Sequence, residues 1–294
     1  MPTTARRTVA ITGANGFIGS HLVRHFSRSG WHVLAFCRTA RNQPAAPYVT
    51  FKEWSLPDGI RAEDFQGGDV LIHCAFVPHS TEHPDSDDIN TRGTERLLAL
   101  ARRLGYAKTV FLSSLSAHDG ALSHYGRHKR QLEQMFDPAR DLIVRPGLTL
   151  GNGGLARSIF DTIRSHRLIP LVGGGRQPVY TIGVDELCRA LERLIENGVA
   201  GSYSLAAPEP VTMRELYQGL ARKAGVRNVF VPVPYLPVSL VLEIAERLGI
   251  SLPVKTENLL GLKQLRTLDV AADLDVLDIH PRPFRETLQS LDMY

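Results

Sequence analysis

RTVAITGANGFIG, residues 7–19, decides how the rest of the 294-residue chain is read. Val9 to Ile11 predict a short buried strand. Gly13, Gly16 and Gly19 follow at G-x-x-G-x-x-G spacing, and Phe17 opens an amphipathic helix to about Ser29. Strand, glycine turn and helix start bring backbone N–H groups and a positive helix end to one place, which suits a dinucleotide pyrophosphate. Gly13 permits the tight turn, Gly16 admits the phosphates, and Gly19 lets the helix pack against the strand. Thr12 and Asn15 offer side-chain hydrogen bonds around the turn. Gly13, Asn15, Gly16, Phe17, Ile18 and Gly19 are therefore the first candidate cofactor-binding residues.

Outward from this stretch, WHVLAF (31–36) predicts a second strand after Gly30. Its end is where such a fold reads the adenosine ribose. An acid there suits a ribose without a 2′-phosphate. This strand runs instead into Cys37-Arg38-Thr39, with Arg41 soon after and no acid before Glu53. Arg38 can face the adenine or a 2′-phosphate, or stand as a solvated strand-end residue. Its planar fork suits phosphate, so NADP is expected ahead of NAD. YVTFKEW (48–54) predicts a third strand, and the acids between Asp58 and Asp64 a short helix. DVLIHCAF (69–76) is an apolar run typical of a sheet covered on both faces. Cys74 and Ala75 at its end would lie beside the cofactor, whereas His73 reads as a buried structural histidine.

VPHSTEHPDSDD (77–88) is expected as a polar loop. INTRGTERLLALARRLG (89–105) follows as a helix with Ile89, Leu97, Leu98 and Ala101 inward and Gly105 at its end. KTVFLSS, SHYGRHKRQLEQMF and DLIVRPGLTLG predict a fifth strand, a helix with Leu132 and Phe136 inward, and a sixth strand with its exit loop. Six strands alternating with helices predict an α/β fold, a doubly wound parallel sheet of the Rossmann kind over residues 1–150. Residues 151–294 read as a mixed segment. VDELCRALERLIENG is an amphipathic helix and GSYSLA a return to the sheet. The shorter, proline-interrupted helices TMRELYQGLARKAG, PVSLVLEIAERLG and ENLLGLKQL would build a smaller, mostly helical substrate lobe. Leu240, Ile244 and Leu248 are read as core.

Composition narrows the function classes. Hydrophobic residues make up 43% and charged residues 22%, ordinary for a globular chain. The net charge of +4, from 34 basic and 30 acidic residues, is spread rather than clustered, so no nucleic-acid partner is expected. Three cysteines, Cys37, Cys74 and Cys188, read as buried thiols in a reducing, cytoplasmic setting. Without C-x-x-C or H-E-x-x-H spacing no metal is expected. Without a long apolar run, neither secretion nor a membrane is expected.

The chemistry centres on Tyr125-Gly-Arg-His-Lys129, downstream of Ser113-Ser114. Four residues on a helix place Tyr125 and Lys129 on one face. A phenol is a poor base near neutrality unless its phenolate is favoured, which a neighbouring ammonium would do. Ser114 could bond a substrate oxygen, and Lys129 could also hold a nicotinamide ribose. Ser114, Tyr125 and Lys129 are the candidate catalytic residues.

On these residues the chain resembles the extended short-chain dehydrogenase/reductases, the NAD-dependent epimerase/dehydratase family. TGANGFIG is similar to the family's nucleotide loop and His73-Cys74-Ala75 to its strand-four motif. Asn90, Gly93 and Thr94 resemble its N-x-x-G-T signature. Ser114, Tyr125 and Lys129 resemble its catalytic trio, and Arg145-Pro146-Gly147 the segment that meets the nicotinamide amide. IGVDEL (182–187) resembles a motif joining the two lobes. The resemblance implies a Rossmann fold, an NADP or NAD cofactor contacted by Asn90, Lys129 and Pro146, and a small-molecule substrate. It also suggests a homodimer built on the Y-x-x-x-K helix and the one before it, which polar residues such as Arg127 and Gln131 do not decide.

Three departures limit what it says of substrate. Ser114 and Tyr125 are only eleven residues apart, closer than in nucleotide-sugar members. Pro178-Val179-Tyr180 stands where those members place a diphosphate-binding arginine, with Arg176 offset. Ser55-Leu56 lacks the acid that usually meets the adenine. Val77 to Ser80, Thr149, Arg157, Arg176 and Tyr180 are the residues that could line a substrate pocket. Three readings follow. The first is an NAD(P)-dependent oxidoreductase acting on a carbonyl or alcohol with Tyr125 as acid/base. The second is an epimerase of a sugar or nucleotide-sugar, and the third a non-catalytic cofactor-binding regulatory or structural protein. Leu115-Ser116 after the serine argues against a dehydratase.

Overall fold

The computed structural model describes residues 6–41, 43, 46–80, 83–235 and 268–292. The helices expected over 237–249 and 257–265, with Leu240, Ile244 and Leu248, lie outside the described residues. The chain forms two compact units, each drawing on segments from both sides of residue 150. One comprises residues 1–113, 128–145 and 184–203, the other 114–127, 146–183 and 204–294.

The first unit is built on a parallel sheet. Strands β1 (Thr8–Thr12), β2 (His32–Cys37), β3 (Val49–Glu53), β4 (Val70–His73), β5 (Lys108–Leu112) and β6 (Leu142–Pro146) are joined by β11 (Gly201–Leu205). The spatial order is β11-β6-β5-β4-β1-β2-β3. β1 therefore lies between β2 and β4, where the strand order reverses and a doubly wound sheet opens a crevice at its C-terminal edge. Alternate residues Ala10, Leu34, Phe36 and Leu71 pack with Leu97, Leu100 and Ala101 of helix α2 (Ser86–Arg103). The intervening residues Val9, Ile11, Val33, Ala35 and Ile72 are equally buried, so both faces are covered. Helices α1 (Phe17–Arg28) and α5 (Val184–Glu196) touch one another and carry buried apolar stripes.

α2 starts at Ser86, three residues earlier than its apolar stripe suggests. Asp87 and Asp88 occupy its first turn and Arg102 and Arg103 its last, each complementing the helix dipole. The segment expected as a sixth strand with its exit loop divides at Gly147 into β6 and a second short strand, β7 (Leu148–Leu150). A Cβ at Gly147 would lie 2.6 Å from the Tyr180 carbonyl oxygen. The chain thus passes β10 (Thr181–Gly183), with which β7 pairs in parallel, closely enough that only glycine fits.

The second unit holds helices α3 (His124–Glu133, shared with the first unit), α4 (Gly154–Ser165), α6 (Met213–Ala224), α7 (Val270–Leu277) and α8 (Phe284–Ser290). Three two-stranded sheets accompany them: β7 with β10, β9 (Pro178–Val179) with β12 (Val211–Thr212), and β8 (Leu168–Val172) with β13 (Val229–Val233). Phe160, Ile163, Leu216, Leu220 and Phe284 form its core. A capping box between Thr212 and Glu215 starts α6, and Gly225 ends it in the left-handed region. No helix among the described residues is long and apolar enough to cross a membrane.

Tyr106 shows how tightly the first unit is packed. Its ring is buried, its hydroxyl donates to the Phe65 carbonyl at 2.7 Å, and it lies flat against Gly68. Gly68→Ala, which drives a methyl into that ring, is expected to lower stability by about 2 kcal/mol in urea unfolding. A parent-like midpoint would show that the ring yields freely.

Candidate active site

The glycine turn is held from below. Gly13 has φ +68°, and a Cβ there would meet Ala75 N at 2.9 Å and Cys74 C at 3.1 Å. Backbone from the end of β1 therefore touches backbone leaving β4. Gly16 is the N-cap of α1, which has neither a side-chain cap nor an acid in its first turn. The N–H groups and positive end of α1 fit the pyrophosphate of a dinucleotide. A Cβ at Gly19 would strike the Gly13 carbonyl, which explains the third glycine. Arg38 is exposed at the end of β2.

Thr12 serves this junction rather than a ligand. Its hydroxyl oxygen accepts from Cys74 N–H at 3.2 Å and Ala75 N–H at 3.3 Å, leaving its own proton for His73 Nδ1 at 2.7 Å. His73 Nε2 then donates to Thr94 Oγ1 at 3.2 Å. Burial, helped by the Lys129 charge, pulls the His73 pKa down to about 3. The ring is a neutral structural link, as its place in a buried strand predicts. Asn90 accepts from Val77 N–H and donates to the Val77 carbonyl, both at 2.8 Å. Its amide holds the loop after β4. Gly93 makes room for Leu56, since a Cβ would collide with that side chain. Cys37 and Cys188 are buried, whereas Cys74 is half-buried.

Lys129 lies in α3, buried to 3% exposure. Its Nζ donates to the Leu112 carbonyl at 2.8 Å and sits over the rings of Phe76 at 4.5 Å and Phe111 at 4.7 Å. Burial draws its pKa down to about 8, against the opposing pull of Cys74 and Glu133. One turn further along α3, the buried Glu133 accepts from Ser113 Oγ at 2.6 Å and from Arg145 through Nε at 2.8 Å and Nη2 at 2.6 Å. Arg145 opens the Arg145-Pro146-Gly147 segment that resembles the one meeting a nicotinamide amide, and its guanidinium is engaged by this carboxylate. Glu133 was missed in the sequence; its four-residue spacing from Lys129 was the available signal.

In the second unit, Ser114 and Tyr125 are brought together, their hydroxyls hydrogen bonded. Ser114 Oγ also accepts from Ser116 N–H at 3.1 Å. Tyr125 keeps 39% of its surface exposed, yet desolvation raises its phenol above the ordinary value, with Ser114 pulling the other way. This is opposite to the lowered phenol expected from the Y-x-x-x-K spacing, because loss of hydration outweighs the stabilising partner. Pro146 is buried, and its carbonyl accepts from Leu115 N–H at 3.2 Å. Among the residues expected to line a substrate pocket, Tyr180 has its hydroxyl engaged by the Leu268 backbone, at 2.8 Å to O and 2.9 Å to N. Arg157 pairs with Asp161 at 2.9 Å, and Arg176 is exposed.

Comparison with known proteins agrees with these elements. The sequence model described as the NAD dependent epimerase/dehydratase family matches residues 9–206. The ceramide reductase of Caulobacter vibrioides is 29% identical over 246 residues, covering 80% of this chain and 76% of that protein. The dTDP-4-dehydro-6-deoxy-D-allose reductase of Streptomyces bikiniensis is 28% identical over 335 residues, covering 97% and 95%. The crystal structure of the Bordetella bronchiseptica enzyme WbmH in complex with NAD+ superposes with a TM-score of 0.76 at 17% identity, covering 97% of each chain.

The buried Lys129 also sets a pH dependence of stability. Its folded pKa lies below the unfolded value of 10.5, so at neutral pH the fold carries the cost of a buried charge. That cost disappears as pH rises through 8 toward 10.5, where the folded state has released a proton that the unfolded chain still holds. Relative to Lys129→Met, the parent is expected to gain roughly 2 kcal/mol between about pH 7 and about pH 10 in urea unfolding. A constant difference between the two proteins would contradict the depressed lysine.

Proposed function

Because the chain belongs to the NAD-dependent epimerase/dehydratase family, whose members are NAD(P)-dependent oxidoreductases and epimerases, we propose that it is a carbonyl reductase using NADPH. The observation that carries this reading is the Ser114–Tyr125 hydrogen bond, which brings two hydroxyls together around a phenol that, like any phenol at or above its ordinary pKa, is protonated at neutral pH. A protonated phenol is a proton donor, so it suits reduction of a carbonyl rather than abstraction of a hydroxyl proton. When bound, the nicotinamide cofactor supplies the hydride. Tyr125 delivers its proton to the carbonyl oxygen as negative charge develops there. Ser114 orients that oxygen and donates a hydrogen bond to it, while the Lys129 ammonium binds the ribose. Asn90 contributes through the Val77 loop that it clamps. Both curated relatives described above are reductases by name, which supports the same direction.

The preference for NADPH rests on Arg38. It is exposed at the end of β2, and no acid follows before Glu53. A guanidinium there would pair with a 2′-phosphate and have no comparable partner on NADH.

Two measurements test the reading. With NADPH and a panel of carbonyl compounds, Tyr125→Phe is expected to lower kcat by about 100-fold or more while cofactor binding persists. Turnover equal to the parent on every substrate reduced would remove the tyrosine from the mechanism. Arg38→Ala is expected to raise KM for NADPH about tenfold and leave KM for NADH unchanged. An equal effect on both cofactors would leave the 2′-phosphate without this partner.

A further inference from the structure

Glu133 has no part in the mechanism above, yet it is among the most heavily bonded side chains in the first unit. Its side chain is 1% exposed and receives four hydrogen bonds. Two come from the Arg145 fork, one from Ser113 Oγ and one from Arg130 Nη1 at 3.2 Å. A neutral core could have closed this space with apolar groups at little or no loss of stability. What an apolar replacement could not supply is charge.

The charge bears on Lys129, one turn back along the same helix. The titratable and charged groups acting there differ in state. His73, on β4, is held neutral by its links to Thr12 and Thr94, with a pKa near 3. Cys74, after β4, has its thiol pushed up to about 12 by burial, so it stays uncharged while the lysine titrates. Arg130 on α3 and Arg145 on β6 are cations whose shown contacts are with Glu133, so they bear on the lysine through that carboxylate. Among the described residues that act on the ammonium, Glu133 is the carboxylate, and it is bonded to both guanidiniums.

We propose that Glu133 is a positioning residue for the reaction. It keeps Lys129 charged by offsetting Arg145 and Arg130, and it fixes Ser113, the residue from which Ser114 follows. The proposal rests on the reductase reading for its consequence in turnover, but not for its test. The Arg145–Glu133 pair then works as a balance on the lysine. Removing the carboxylate leaves three cations together and disfavours the ammonium. Removing the Arg145 guanidinium leaves the carboxylate opposed by one guanidinium instead of two, and so favours the ammonium.

The test follows Lys129 directly in the full-length protein labelled with 13C-lysine. The Cε resonance, assigned by its loss in Lys129→Met, is titrated with pH, free of substrate and cofactor. The parent midpoint is expected near 8. Glu133→Gln keeps the size of the side chain and an acceptor for Ser113, and is expected to move the midpoint down by about one pH unit. Arg145→Gln is expected to move it up. Glu133→Asp, which keeps the charge, is expected to leave it close to the parent value. Opposite movements establish the balance. An unmoved midpoint in both charge-removing variants, or movement in one direction in both, overturns it. If Glu133→Gln does not fold, Arg145→Gln and Glu133→Asp decide the matter: a midpoint that fails to rise in the first, or falls by a unit in the second, is equally fatal. Turnover enters none of these readings, so failure of the reductase assignment and failure of this proposal are separately visible.

Discussion

Backbone meets backbone where β1 and β4 end, and there is no room between them for a side chain. Gly13 lies against Cys74 and Ala75, and much of what surrounds the cofactor turn maintains that approach. The Thr12 hydroxyl accepts from the two N–H groups leaving β4 and donates its own hydrogen bond to His73. Thr94 takes the other end of the imidazole. The chain of bonds ties the nucleotide turn to α2 through a ring that is neutral across the working pH range. A charged ring would have to be stabilised in a buried strand next to Lys129, which explains the strongly depressed pKa.

The N-x-x-G-T signature gains a physical meaning from the same contacts. Asn90 pairs with both backbone groups of Val77, Gly93 lets Leu56 lie against α2, and Thr94 completes the histidine link. Each residue meets a different part of the first unit, and each does so by a property that its neighbours in size lack. Asparagine offers a donor and an acceptor in one plane, glycine offers no Cβ, and threonine offers a hydroxyl on a stiff side chain.

Much of the fold was legible because its signals are local. The apolar runs at 9–11, 31–36 and 69–76 hold strands, and Gly13 and Gly19 are each required by a close approach. Alternation with helices marks the sheet as parallel and doubly wound. Less legible were features set by partners distant in sequence. In DLIVRPGLTLG, expected as a strand with its exit loop, a second short strand shows itself only once Tyr180 and Ala206 are placed against Gly147. The pairing of Glu133 with Arg145 and Ser113 joins two strands and a helix, and no periodicity announces it. Tyr180 was a candidate pocket residue because nothing in the sequence says that its hydroxyl is taken up by Leu268. The direction of the Tyr125 pKa was misjudged for a related reason: spacing reveals a possible charge partner but not how much water a phenol loses.

That last difference bears on chemistry. A tyrosine pushed toward the phenolate and one held as the phenol are equipped for opposite steps, although both satisfy Y-x-x-x-K. Here desolvation moves the Tyr125 phenol further from ionisation, and loss of water likewise draws the Lys129 pKa down toward neutrality. Burial penalises charge on either group, so the protein must spend structure to keep even one of them ionised. The lysine has that structure, in the Leu112 carbonyl, two aromatic faces and the Glu133 carboxylate. For the tyrosine, the Ser114 hydroxyl pulls toward the anion, and desolvation outweighs it. A neutral acid on a helix that also carries a supported cation is the combination that a developing alkoxide calls for: a proton for its oxygen, and no second negative charge to resist its formation.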